Sequence, residues 1–155
     1  MKRMYWIFVI VIVLAIVLVS VWWIRGKNAL MEQHELRVGN RTYIVEIADT
    51  IPLRTQGLSG RDKLEEGHGM LFVFGSLGEH PFWMKDMKFP LDFVWINGDR
   101  VVGTTERVPA PAPSSSILSL PNYHPPEPID KMLEINAGEV AKWGIQVGDK
   151  VEIGN

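Results

Sequence analysis

The chain has 155 residues and a formal net charge of -2 with acids and bases interspersed, which suits one domain and offers no basic footprint for nucleic acid. It contains no cysteine, so disulfides, thiolate metal sites and a cysteine nucleophile are excluded. The stretch beyond the N-terminus is long enough to bury a core without metals or cross-links.

Met4 to Ile24 contains no charged residue and matches the roughly 20 residues that a helix needs to cross a hydrocarbon core of about 30 Å. The run is uniformly apolar, with no polar face to turn towards water, and it ends in Trp22 and Trp23 rather than in the small residues of a cleavage site. It is expected to be an uncleaved single-pass anchor, with Tyr5, Trp6, Trp22 and Trp23 at the two interfaces. Lys2 and Arg3 nearly balance Arg25 and Lys27 across the span, and the short flank ahead of it is easily kept in the cytoplasm. The domain is therefore expected outside the cytoplasm, at a cell membrane. The chain divides into an anchor over residues 1–25, a polar connector over 26–34 and a β-rich domain over 35–155.

In the domain, Leu36 and Val38 lead into Gly39-Asn40, and Tyr43, Val45 and Ile47 alternate with their neighbours, which predicts two strands joined by a tight hairpin. Asp49-Thr50 offers a helix N-cap, Pro52 suits the first turn and Gly57 a stop, so a short helix carrying Arg54 is expected. Arg61 to His68 reads as a charged loop. Gly69 to Phe74 is apolar on both alternating sets and predicts a strand buried on both sides, followed by a turn over Gly75 to His80. In Phe82-Trp83-Met84-Lys85, a period of two puts Phe82 and Met84 on one face and Trp83 and Lys85 on the other.

Pro90 opens a strand over Leu91 to Ile96, and Asn97-Gly98 is a hairpin signal leading into Arg100 to Val108. Asp92 is anomalous there, because Val94 and Ile96 on its own face are apolar. Pro109 to Pro128 holds seven of the ten prolines, so extended, irregular backbone is expected. Lys131 to Ile135 predicts another strand, Asn136 with Glu139 a capping-box-like start to a helix over Ala137 to Trp143, Gly144 its stop and Lys150 to Ile153 a last strand. Gly144 to Val151 also resembles the turn of small swapped-hairpin barrels, which favours a closed or partly closed barrel over a flat sheet.

Arg54-Thr55-Gln56-Gly57-Leu58, Gly69 to Phe74, Phe82 to Lys85 with Pro90-Leu91-Asp92, and Leu133 to Gly138 with Gly144-Ile145 and Gly148-Asp149 together resemble the pattern of the uncharacterised DUF192 family. The resemblance spans nearly all of Val38 to Ile153. It implies a small, mostly β domain of the kind often found behind a signal peptide or membrane anchor; with the elements above, the expected fold is mainly β with α+β tendency, barrel-like and with two short helices. It implies no activity and no catalytic residue. Ser114, Ser115 and Ser116 stand where many relatives carry cysteines, and Asp86-Met87 where many carry Asn-Thr.

His34, His68, His80 and His124 show no metal-ligand spacing, so neither a metal nor a cofactor is expected. Trp83 offers a flat apolar face, and Arg54, Lys85 and Asp92 could orient a ligand, which makes these four the candidate binding residues for a small molecule, glycan or peptide. A hydrolytic alternative uses Asp92 with His80, Glu134 or Asp86, since a carboxyl in apolar surroundings can be tuned for proton transfer. It fails if Asp92 is closed to solvent and hydrogen-bonded to backbone. A third reading makes the domain a structural partner within an envelope assembly.

Overall fold

The computed structural model describes residues 13–14, 33–112 and 115–154. The expected anchor, Met4 to Ile24, lies outside the described residues except for Val13 and Leu14, which are helical. A separate compact unit begins at Glu32 and carries the whole of the sheet.

β1 (Gln33–Val38) and β2 (Arg41–Ala48) pair antiparallel through the Gly39-Asn40 turn that the alternation predicts, although β1 starts two residues inside the stretch read as connector. α1 (Ile51–Gln56) follows, its Thr50 cap accepting the Leu53 N–H at 3.4 Å. It carries the chain over to β3 (His68–Gly78), which pairs with β2 in parallel, as only a crossover connection permits. β4 (Leu91–Asn97) and β5 (Arg100–Val108) form the second hairpin. The proline-rich segment contributes one 3-10 turn, Ile117–Ser119. β6 (Ile129–Asn136) then inserts between β3 and β4, α2 (Glu139–Trp143) follows it, and β7 (Val151–Ile153) pairs with β1.

The resulting seven-stranded sheet has the order β5-β4-β6-β3-β2-β1-β7. Its two ends meet at one corner. Val101 N–H donates to the Asp149 carbonyl at 3.0 Å, Gly148 N–H to the Val101 carbonyl at 2.8 Å and Val151 N–H to the Asp99 carbonyl at 2.8 Å. The sheet therefore curls into a half-barrel, closed on one side by backbone hydrogen bonds between its edges. The fold is mainly β with two short helices.

Register assigns the faces. Asp92, Val94, Leu133, Ile135 and Leu71 share the inner face, and all but Asp92 join Leu36, Val38, Tyr43, Val45 and Val151 in an apolar core that α2 covers through Val140. Phe93, Trp95, Met132, Glu134, Met70 and Phe72 share the outer face. That face is covered by Phe82, whose ring lies 4.9 Å from Phe72, 5.7 Å from Trp95 and 6.1 Å from Phe93. Central strands buried on both sides explain the continuous apolar runs, and Leu91 to Ile96 are all buried.

Three local expectations change. β3 does not end at Phe74 but continues to Gly78 through a register shift against β6, so the expected turn is the irregular half of a strand. Phe82 to Lys85 is not a strand; only Phe82 bridges, to Tyr123, and the chain bends at Asp86, whose φ is 55°. The alternation survives without the strand, because Phe82 and Met84 are buried while Trp83 is 42% exposed. α2 starts at Glu139, with Gly138 rather than Asn136 at its cap. Asn136 remains in β6 opposite Leu91, and the carboxylate of Asp92 does the capping from another strand.

Candidate functional site

A cavity of about 270 Å³ opens on the outer face. One wall is α1 with the turn after it, from Ile51 and Arg54 to Ser59; the other is the bent segment from Pro81 to Met87; Phe72, Phe74 and Glu134 form the floor. Both walls follow from local sequence. The Thr50 cap and Pro52 start α1, and Gly57, at φ 50°, ends it where a β-carbon would come within 3.2 Å of the Phe72 ring. On the opposite side, burial of Phe82, Met84 and Met87 turns Trp83 and Lys85 towards the opening. The walls are tied together where Ser59 Oγ donates to the Lys85 carbonyl at 2.8 Å and Gly60 N–H to the Asp86 carbonyl at 2.9 Å.

Arg54, Trp83 and Lys85 therefore come together on one cleft, and Asp92 does not. The guanidinium of Arg54 donates through Nη1 to the carbonyls of Asp49 and Val73 and lies over the Phe74 ring at 5.3 Å, so it is held in place at the cleft. Lys85 Nζ is 3.8 Å from the exposed Asp86 carboxylate, a loose pair in water.

Asp92 is fully buried on the inner face. Its Oδ1 accepts the Arg107 N–H at 2.7 Å, and its Oδ2 accepts the N–H groups of Gly138 and Val140, each at 2.9 Å. A carboxylate closed to solvent and filled by three backbone donors holds β5 and the start of α2 to β4; it is not placed to act as a base. The expected partners of a hydrolytic pair are also misplaced. Glu134 stands opposite Phe93 and Asp92 opposite Ile135, so the two carboxylates lie on opposite faces of the sheet. His80 stacks on Phe74 at 3.8 Å, and its Nε2 is 3.1 Å from the Ser76 carbonyl. Asp86 is on the surface.

The residue that the sequence pattern undervalues is Glu134. It is only 5% exposed, it lines the cleft, and its Oε2 has no hydrogen-bond partner among the described residues. Burial pushes its carboxyl up to about 8, against a smaller opposing pull from Arg61. Arg61 is committed elsewhere, its two Nη atoms donating to the Glu46 carboxylate at 2.6 and 2.7 Å. The charged loop from Arg61 to His68 is thus more than a solvated face, since Arg61 ties it to β2. A charge inside the run Met132-Leu133-Glu134-Ile135 is the same signal that marks Asp92, yet from sequence Glu134 stands only as a hydrolytic partner of Asp92 and not among the binding residues.

Residues 33–153 match the family model described as DUF192, Uncharacterized ACR, COG1430. No curated protein matches the chain. A protein of unknown function from Novosphingobium aromaticivorans is similar in structure, with a TM-score of 0.71 and 27% identity over 81% of this chain and 88% of that one. A protein from Sinorhizobium meliloti, provisionally described as a transcription regulator, gives a TM-score of 0.69 and 29% identity over 79% of this chain and 95% of that one. With its half-barrel, its capped α2 and the motifs that build the cleft all inside the matched span, the chain belongs to the DUF192 family.

Proposed function

We propose that the domain is a binding module that holds a small organic ligand in the cleft between α1 and Trp83, and that Met4 to Ile24 keeps it at a membrane surface on the extracytoplasmic side. The observation that carries this reading is the convergence of Arg54, Trp83, Lys85 and the buried, unpartnered Glu134 on one concavity. A cleft with apolar walls and a few fixed polar groups is the usual make-up of a ligand site, and about 270 Å³ lies just below the roughly 300–1,000 Å³ of drug-sized pockets. The size suits a single ring, one sugar unit or one side chain of a peptide rather than an extended polymer.

A thermal-shift screen of the full chain against small amines, acids, sugars and dipeptides tests the reading, with Trp83→Ala as the control. The exposed Trp83 can be truncated with the fold intact, within about 1 kcal/mol of the parent, yet ligand-induced stabilisation is expected to vanish. A Trp83→Ala protein that unfolds, or that responds to ligands as the parent does, rejects this role.

A further inference from the structure

Resting on the reading of the cleft as a ligand site, we propose that it takes a primary ammonium group against the Glu134 carboxylate, carried by a small zwitterion whose anionic end lies at the Arg54 and Lys85 mouth. The floor supplies the first half of the argument. Glu134 has lost its hydration and gained no donor at Oε2, a state that native interiors rarely leave without a partner. The groups facing it are Arg61 from the loop after α1, Glu46 from β2, and Arg54 and Lys85 at the rim. Arg61 is engaged by Glu46 in a bidentate pair and exerts only a partial pull on Glu134. An ionised Glu134 therefore has no direct ion partner at the floor, and an ammonium group supplies both that partner and the missing donor. The rings of Phe72, Phe82 and Trp83 around the cavity favour a cation further.

The mouth supplies the second half. Arg54 is fixed by carbonyl oxygens, which leave its charge unneutralised, and Lys85 is only loosely paired with Asp86. Two cations at the opening and one acid at the floor match a molecule that enters with its ammonium leading and its carboxylate trailing.

The test is titration calorimetry of the full chain in nonionic detergent at about pH 7, in two buffers of different ionisation enthalpy, with 6-aminohexanoate, pentylamine and hexanoate as probes. Both amines are expected to bind, 6-aminohexanoate more tightly, and Glu134→Gln to weaken both by about tenfold or more. Because burial keeps the Glu134 carboxyl protonated at neutral pH, amine binding should release close to one proton, a signal absent in Glu134→Gln. Lys85→Ala should reduce the advantage of 6-aminohexanoate over pentylamine, and an advantage it leaves unchanged overturns the placement of the anionic end. Amine binding that ignores Glu134→Gln, or hexanoate binding as tightly as 6-aminohexanoate, overturns the proposal. If hexanoate binds in a Trp83-dependent way and the amines do not, the ligand class is wrong while the cleft remains a binding site. If no probe binds, the ligand class is likewise rejected, and the screen against Trp83→Ala decides separately on the cleft.

Discussion

Asp92→Asn separates a structural carboxylate from a catalytic one. The asparagine side chain keeps the shape but only one acceptor oxygen. If that oxygen stays between Gly138 and Val140, its two hydrogen bonds change from charge-assisted to neutral, a loss of about 1 kcal/mol each. The amide NH2 then faces the Arg107 N–H, donor against donor, and an unsatisfied buried N–H costs about 1–3 kcal/mol. The expected destabilisation is about 3–5 kcal/mol, a large part of the roughly 5–15 kcal/mol that holds a domain together. Denaturant unfolding of the full chain measures it, and hydrogen exchange locates it, since the amides of Arg107, Gly138 and Val140 should lose protection ahead of those in β3. An Asp92→Asn protein within about 0.5 kcal/mol of the parent, with those amides still protected, would refute the reasoning, because surface-like substitutions behave that way.

Glu134 predicts an opposite response. Its folded-state carboxyl, at about 8, lies above the ordinary value of 4.5, so between those pH values the folded protein holds a proton that the unfolded chain has released. That contribution to stability is fully present below about pH 4.5 and is lost as pH rises through 8, with a ceiling of about 5 kcal/mol. Glu134→Gln should flatten the pH profile in this window and leave the protein more stable than the parent at about pH 9; a profile unchanged by the substitution counts against the burial argument. Phe82→Ala should cost about 3–5 kcal/mol by emptying the centre of the outer aromatic cluster and should abolish ligand response along with stability, unlike Trp83→Ala. Gly69→Ala would place a β-carbon 2.8 Å from the Glu134 carbonyl and 3.0 Å from Leu133, so a loss of about 1–3 kcal/mol is expected in the unfolding midpoint.

The alternation was readable because it is local: Tyr43 and Val45 are buried from β2, and Phe82 and Met84 are buried while Trp83 is exposed even though their segment is not a strand. The hairpins at Gly39 and Gly98 were readable for the same local reason. The start of α2 was not, because the group that caps it belongs to β4, 46 residues away from Gly138 in the chain. Nor could the sequence say that Asp92 and Glu134, both acids inside apolar runs, would face opposite ways; that depends on the β4–β6 register, which no local pattern specifies. The pairing of α1 with the Pro81 to Met87 segment likewise arises from two loops meeting over β3, so three of the four candidate residues were recognisable as types before their cleft was.

The position of β6 in the strand order bears on how the domain is made. The chain first produces β1 to β3 and then the β4–β5 hairpin, and within the sheet only the later β6 joins these two parts. Most of the pairing is thus between segments far apart in sequence, which slows folding and delays completion until the C-terminal residues are available. The short β7 is last of all, and it covers β1, which would otherwise be a bare edge. Since the floor residue Glu134 rides on β6, a nascent or truncated chain that stops before Ile129 lacks both the strand that joins the two parts of the sheet and the acid of the cleft floor. A factor that shields strand edges during synthesis would be needed most in the interval before β6 arrives.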